Sequence, residues 1–299
     1  MKLGYIGLGK MGFNMVERLL EKNHQVVVFD RNNDAVSAIA AKGAVPAGSL
    51  AVMAQGLQAP RLFWIMVPYA AVDDVLQELT PFLKKGDTVI DGGNSPYKQT
   101  MRRAEELQGR GIEFLDAGIS GGPGGARNGS CIMVGGKEAV YRTHEALFRD
   151  LAVENGHLYT GPSGSGHFTK MVHNGIEYGM MQALAEGFTV LRTSPFGLDM
   201  AALADLYDHG SVIESRLVGW LREGYEQFGP DLKEVSGSAA QSGEAMWTIE
   251  AARELGVPVP VIQASLDFRL ASAKNPNYTA KIISVLRHQF GGHEMKKRS

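Results

Sequence analysis

Cysteine is nearly absent: Cys131 alone occurs in 299 residues, so the chain closes no internal disulfide. A single thiol in the apolar run 131–135 reads as a small buried strand residue rather than a nucleophile. No apolar run approaches the length that spans a bilayer. The N-terminus has none of the charged region, apolar core and cleavage site of a signal peptide, so a cytoplasmic location is expected. Charge of one sign is also missing. With 30 Lys and Arg against 32 Asp and Glu the net charge is −2, so neither nucleic acid nor an anionic membrane is the expected partner. His24, His144, His157 and His209 show no metal-ligand spacing, so no metal is expected. What the chain does have is glycine, 37 residues clustered between apolar runs, which suits backbone approaching a ligand closely.

Residues 3–30 read as strand, Gly-rich turn, helix, strand. Further strands are expected at 61–67, 88–91, 112–116, 131–135 and 157–160, with helices at 34–42, 71–79, 97–110 and 138–147 between them. Such alternation predicts a mostly parallel, doubly wound sheet. After the stretch Gly161-Pro162-Ser163-Gly164-Ser165-Gly166 strand signals cease and helical periodicity takes over, most clearly at 165–193, 215–228, 243–255 and 260–273. The expectation is a Rossmann-type α/β domain over 1–162 followed by an all-α domain for substrate and dimerisation over 163–299. The basic tail at 296–298 is expected to be frayed and solvated.

Gly7-Leu8-Gly9-Lys10-Met11-Gly12 matches G-x-G-x-x-G after a strand and before a helix, the context that makes the pattern specific for a dinucleotide. Gly7 permits the turn, Gly9 lets backbone reach the pyrophosphate, and Gly12 lets helix and strand pack closely. Asp30 ends the second strand, where an acid bonds the ribose hydroxyls and repels a 2′-phosphate, so NAD is favoured. Arg31 beside it can pair with that phosphate, which keeps NADP possible. Met66, Val67, Pro68 and Asn94 complete the expected cofactor set.

In the helical pattern 165–186, Lys170, His173, Asn174 and Glu177 fall at i, i+3, i+4 and i+7 and share one face. Phe168, Val172, Ile176 and Ala183 form the opposite, apolar side. Lys170 and Glu177 stand two turns apart and make a poor surface pair, so the face reads as acid–base equipment. A second Gly-rich stretch, residues 116–126, follows a strand and offers backbone N–H donors to a carboxylate.

Together with the fingerprint, that second stretch resembles the substrate motif of the β-hydroxyacid dehydrogenases. Within that superfamily the helix His167-Phe168-Thr169-Lys170-Met171-Val172-His173-Asn174-Gly175-Ile176-Glu177-Tyr178 is similar to the catalytic helix of the 6-phosphogluconate dehydrogenase family. So are Asp91-Gly92-Gly93-Asn94-Ser95 and the R-x-x-F-G-x-H pattern from Arg287 to His293. The length matches the short form of that family. The resemblance implies oxidative decarboxylation of 6-phospho-D-gluconate to D-ribulose 5-phosphate and carbon dioxide with NAD reduced. Lys170 is implied as general base, Glu177 as general acid and Asn174 as a further catalytic residue. Asn94, Ser120, Gly121, Gly122, His173, Asn174, Tyr178, Arg269, Arg287 and His293 are implied as contacts to a phosphorylated sugar acid. Where long-form members read K-G-T-G-K-W-T, this chain reads Ser242-Gly243-Glu244-Ala245-Met246-Trp247-Thr248, so a serine replaces a phosphate-contacting lysine. A homodimer or homotetramer is implied, with Arg287 and His293 acting in their own or a neighbour's site. The alternatives are another β-hydroxyacid dehydrogenase for a small unphosphorylated acid, which leaves Arg269, Arg287 and Tyr178 idle, and a non-catalytic NAD-sensing protein.

Overall fold

Short runs dense in Val, Ile, Phe and Tyr build the N-terminal part, because branched and aromatic side chains pack well on both faces of a pleated sheet. In the computed structural model, which describes residues 1–240, 243–293 and 295, the order begins β1 (Lys2–Ile6), α1 (Lys10–Glu21), β2 (Gln25–Phe29), α2 (Asn33–Ala40) and β3 (Val45–Pro46). Then come α3 (Leu50–Gln55), β4 (Leu62–Ile65), α4 (Val72–Leu79), β5 (Thr88–Asp91) and α5 (Tyr97–Gln108). β6 (Glu113–Ser120), α6 (Gly122–Asn128), β7 (Ser130–Gly136), α7 (Glu138–Leu151) and β8 (Ala152–Gly161) complete the sheet region. The eight strands lie in the order β3-β2-β1-β4-β5-β6-β7-β8. Pairing is parallel from β3 to β6, antiparallel between β6 and β7, and parallel again between β7 and β8.

Both faces of the sheet are covered, which is why its strands read as continuous apolar runs. Tyr5, Val28, Trp64, Ile90 and Leu115 fill one face with Met15, Val16 and Leu19 of α1. Ile6, Val27, Phe63, Val89 and Phe114 fill the other with Met53, Leu76 and Leu107. Two local expectations are corrected. Cys131 does lie in β7 but is exposed, because its neighbours Ser130 and Ile132 take the buried side and a strand alternates its faces. The Gly-rich stretch 116–126 is not a loop: β6 runs through Ser120, Gly121 turns the chain at φ +128°, and α6 starts at Gly122.

The helical part comprises α8 (Ser165–Thr193), α9 (Met200–Tyr207), α10 (Arg216–Phe228), α11 (Glu244–Glu254), α12 (Pro260–Ser272) and α13 (Tyr278–Gly291). This is a Rossmann-type α/β region followed by a helical one, the expected fold class. The chain divides into two compact units, Met1–Met171 and Val172–Ser299. Side-chain caps start three of these helices: Asp199 for α9, Ser215 for α10 and Asn277 for α13. α9 and α13 add to the expected helices. α13 is buried at every position from 282 to 287, so it carries no one-sided stripe from which a helix is read. On α8 the apolar stripe Ile176, Met180, Ala183, Gly187 and Val190 is exposed, while Tyr178, Met181, Ala185 and Phe188 are buried.

Candidate active site

The first Gly-rich turn sits at the carboxyl end of β1, in the crevice where open parallel sheets take ligands. Gly7 turns the chain at φ +101°. A Cβ on Gly12 would lie 2.1 Å from the Gly7 carbonyl oxygen, so α1 packs against the turn only with glycine there. Gly9 differs: a Cβ on it would meet nothing within 4 Å. Packing does not require glycine at that position, whereas a ligand approaching the backbone would. Gly9 is the N-cap of α1 and offers no side-chain cap, so the first N–H groups of the helix face outward without one. That arrangement suits a pyrophosphate.

Asp30 accepts hydrogen bonds from the Leu8 N–H at 2.6 Å through Oδ2 and from the Asn32 N–H at 2.7 Å through Oδ1. The carboxylate therefore ties the turn to the end of β2. Leu8 is buried, Met11 half-buried, and Lys10 and Arg31 exposed. Beyond β4 the Met66 N–H donates to Ile6 O at 2.7 Å, which lays Met66, Val67 and Pro68 beside the turn. Beyond β5, Asn94 sits in the left-handed region at φ +55°. All the expected cofactor residues thus gather at the carboxyl ends of β1, β2, β4 and β5.

Ser120 ends β6, and Gly121 and Gly122 open α6 beside it. A Cβ on Gly118 would fall 2.3 Å from Lys170 Cβ and 2.7 Å from Gly166 O, so β6 and the start of α8 touch backbone to backbone. The buried Asp116 anchors that contact. It accepts from the Gly164 N–H at 2.7 Å and the His167 N–H at 2.9 Å, filling the orphan donors at the start of α8. Burial raises its carboxyl above the usual range, against the pull of His167 and these two N–H groups. His167 Nδ1 lies 2.8 Å from Thr100 Oγ1. Lys170, one turn further on, is 5% exposed. Asp116 and Gly118 stand in the Gly-rich motif and His167 in the catalytic-helix pattern, but none is expected as a site residue from sequence, and Thr100 carries no sequence signal. The role of Asp116 as a cap depends on residues 48 and 51 positions away.

In the second unit His173 Nδ1 lies 3.1 Å from Asn174 Oδ1 and 3.8 Å from Glu177 Oε2. Tyr178 is buried, and the Arg269 guanidinium stacks 3.4 Å from its ring centroid. Arg269 is 2% exposed and Arg287, on α13, is 8% exposed. Among the described residues neither is in an ion pair. Arg269 Nη2 rests 3.4 Å from Met181 Sδ, and its Nε has no partner. Burial pulls Arg269 down to about 10, with the positive Arg287 adding to the shift. Burial lowers Arg287 as well, and Tyr178, Glu244 and Glu177 oppose the change. His293 is exposed and meets Phe290 edge-on at 5.9 Å. Ser242 and the 296–298 tail lie outside the described residues. Among the described residues no cluster of three or more His, Cys, Asp or Glu side chains is arranged to hold a metal.

Two family models cover the chain. One, the NAD binding domain of 6-phosphogluconate dehydrogenase, matches residues 2–161. The other, the C-terminal domain of 6-phosphogluconate dehydrogenase, matches residues 166–298. The chain is 41% identical over 300 residues to an NAD(+)-dependent, decarboxylating 6-phosphogluconate dehydrogenase of Haloferax volcanii, covering 100% of this chain and 99% of that protein. It is 47% identical over 298 residues, the full length of both, to a Bacillus subtilis protein whose name gives the same activity provisionally. Among solved structures, Plasmodium falciparum 6-phosphogluconate dehydrogenase superimposes with a TM-score of 0.80 at 24% identity, over 97% of this chain and 70% of that one, a likeness of fold.

Proposed function

The chain belongs to the 6-phosphogluconate dehydrogenase family, and on that premise we propose that it oxidatively decarboxylates 6-phospho-D-gluconate to D-ribulose 5-phosphate and carbon dioxide, reducing NAD. The observation that carries the substrate class is the pair Arg269 and Arg287. Two buried guanidinium groups in no ion pair among the described residues, with Glu177 and Glu244 acting on their charge only from a distance, are costly in the free protein. An anionic ligand relieves that cost. A small unphosphorylated acid makes less use of two such groups than a sugar acid carrying both phosphate and carboxylate.

NAD, when bound, accepts the hydride from carbon 3 of the sugar acid. Lys170 Nζ takes the proton of the 3-hydroxyl, a role that needs a neutral amine, and the residue is 5% exposed. The resulting 3-keto acid breaks its bond to the carboxylate, which leaves as carbon dioxide. Protonated Lys170 returns its proton to the oxygen on carbon 3 as the enediol forms. Glu177 then protonates carbon 2 of the sugar acid, which becomes carbon 1 of the pentulose, while the hydroxyl on the former carbon 3 gives its proton back to Lys170, leaving the ketose. The two groups stand seven residues apart on α8, about two turns, at positions that share one face of the helix. Asn174 and His173 flank Glu177 on the same face and are assigned to orient the substrate. Ser120, Gly121, Gly122 and Asn94 are assigned to its carboxylate and hydroxyls, and Tyr178 and His293 to its phosphate end.

We assign the protein to the cytoplasm and to a homodimer or a dimer of dimers. Among the described residues no helix is long and apolar enough to cross a membrane. The exposed stripe on α8 (Ile176 at 55%, Met180 at 44%, Val190 at 69%) supports self-association. Absorbance at the NADH band with 6-phosphogluconate and NAD is the direct test. Turnover of 3-hydroxyisobutyrate in its place would favour the small-acid reading, and binding of NAD without turnover of either would favour a sensor.

A further inference from the structure

Arg103 lies on α5, outside every sequence motif discussed above, and is 1% exposed. All three of its guanidinium nitrogens are engaged. Nη1 donates to Asp91 Oδ2 at 3.2 Å and to Ser95 Oγ at 2.9 Å. Nη2 donates to the Tyr69 carbonyl and to Gln99 Oε1, each at 3.3 Å. Nε donates to Asp73 Oδ1 at 2.8 Å. Gln99 lies on α5 itself and Asp73 on α4, but the other three acceptors belong to two separate segments at the carboxyl ends of neighbouring strands. Tyr69 closes the 66–69 segment after β4, and Asp91 and Ser95 bracket the turn after β5 that carries Asn94.

That turn is held from within as well. Asp91 accepts from the Gly93 N–H at 2.9 Å through Oδ1 and from Ser95 Oγ at 2.9 Å through Oδ2. Asn94 stands between these two anchors at φ +55°, in the left-handed region that Asn tolerates better than most L-residues. The two segments also touch directly, since a Cβ on Gly93 would lie 2.6 Å from Val67 O. We propose that Arg103 is a positioning residue for the cofactor: by bridging the 66–69 segment and the 91–95 turn, it fixes Asn94 relative to Met66, Val67 and Pro68. A planar fork reaches acceptors on both segments at once, and a lysine ammonium does not. The inference rests on the proposed role of these residues as cofactor contacts and is independent of the sugar acid.

The test is a double-mutant cycle read as NAD affinity by calorimetry, without sugar acid, on variants shown to be folded by circular dichroism. Arg103→Met in the wild-type background is expected to weaken NAD by about tenfold, and by less than about threefold when Asn94→Ala is already present, because residues in one network couple. Arg103→Lys is expected to restore only a minor part of the loss. Should Arg103→Met fail to fold, Ser95→Ala, which removes one acceptor inside the network, is run through the same cycle with a smaller coupling expected. Equal fold-losses in both backgrounds, or wild-type NAD affinity in Arg103→Met or Ser95→Ala, overturn the proposal. Failure of the sugar-acid reading looks different: NAD binding is retained, and no NADH forms with 6-phosphogluconate.

Discussion

Lys170 and Asp30 are single residues whose replacement separates chemistry from cofactor binding. Lys170→Ala removes the base from α8 and leaves the turn at residues 7–12 untouched. Turnover is expected to fall by about 10²–10⁴-fold, the usual worth of a positioned base, while the NAD dissociation constant stays within about twofold by the same logic. Steady-state rates and NAD titration on one preparation check it, and parallel losses in both would point to a folding defect instead. Glu177→Gln is expected to lose less, because water can deliver a proton to the enediol carbon that becomes carbon 1 of the ketose. Asp30→Ser has two consequences. It removes the charge that opposes a 2′-phosphate, leaving Arg31 to pair with one, so the ratio of kcat/KM for NAD over NADP falls. It also removes the acceptors of the Leu8 and Asn32 N–H groups, so kcat/KM with NAD falls in absolute terms. A variant that gains NADP activity while keeping all of its NAD activity would show that Asp30 does not brace the turn.

At the scale of elements, a buried ion pair ties the amino ends of β4 and β5 together. Arg61, just before β4, donates from its backbone N–H to Asp87 Oδ1 at 2.8 Å and from Nη2 to Asp87 Oδ2 at 2.6 Å. The same guanidinium reaches Ala54 O at 2.9 Å and Phe82 O at 2.6 Å, joining α3 to the start of β4 and β5. Burial pushes the Asp87 carboxyl up, but the Arg61 side chain and the N–H groups of Arg61 and Lys84 outweigh it and hold it below the usual value of 3.8. A carboxyl lowered in the folded state contributes stability at pH above its unfolded value, and that contribution fades as pH falls through the folded value. Asp87→Asn should therefore cost about 3–5 kcal/mol near neutrality, since it leaves Arg61 buried and unpaired. The gap to wild type should close as the pH drops below about 4. Denaturant midpoints across pH measure both, and a gap that is constant down to acid would disprove the ionic account. How far such elements can be read from sequence follows the range of the forces that make them. The 7–12 turn and the face of Lys170, His173, Asn174 and Glu177 were legible because backbone sterics and helical spacing act within a few residues. The capping of α8 by Asp116 was not, because it is set by strand order. Nor was α13, whose apolar residues surround it. Of the expected apolar side of α8, Ile176 and Ala183 are exposed and Phe168 and Val172 half-buried, because Lys170 and Tyr178 take the buried side.

For the whole molecule, the question is whether one chain completes its own substrate site. The outward stripe of α8 is spaced like a helix seam, at positions 176, 180, 183, 187 and 190. Ile176→Glu with Val190→Glu places charge on that seam and is expected to reduce the proposed oligomer to monomers in sedimentation velocity. An unchanged mass would move the interface elsewhere. The C-terminal pattern is expected to serve its own or a neighbouring subunit, and the surroundings of its two members differ. Arg287 is buried on α13, where Tyr178, Glu244 and Glu177 of its own chain act on its charge and it in turn acts on Arg269. His293 is exposed beyond the end of that helix. Arg287 is thus predicted to act within its own chain, and His293 is the residue placed to serve a neighbour. Mixing Lys170→Ala chains with Arg287→Ala chains should then restore nothing, because every site lacks one of the two. Mixing Lys170→Ala with His293→Ala should restore part of the activity, because in two-fold assemblies one site of each mixed dimer has both residues. Subunit exchange is verified by co-purification of differently tagged chains. Activity recovered in the Arg287 mixture would place that arginine in the neighbour's site. No recovery in the His293 mixture, with exchange demonstrated, would confine the whole pattern to its own subunit.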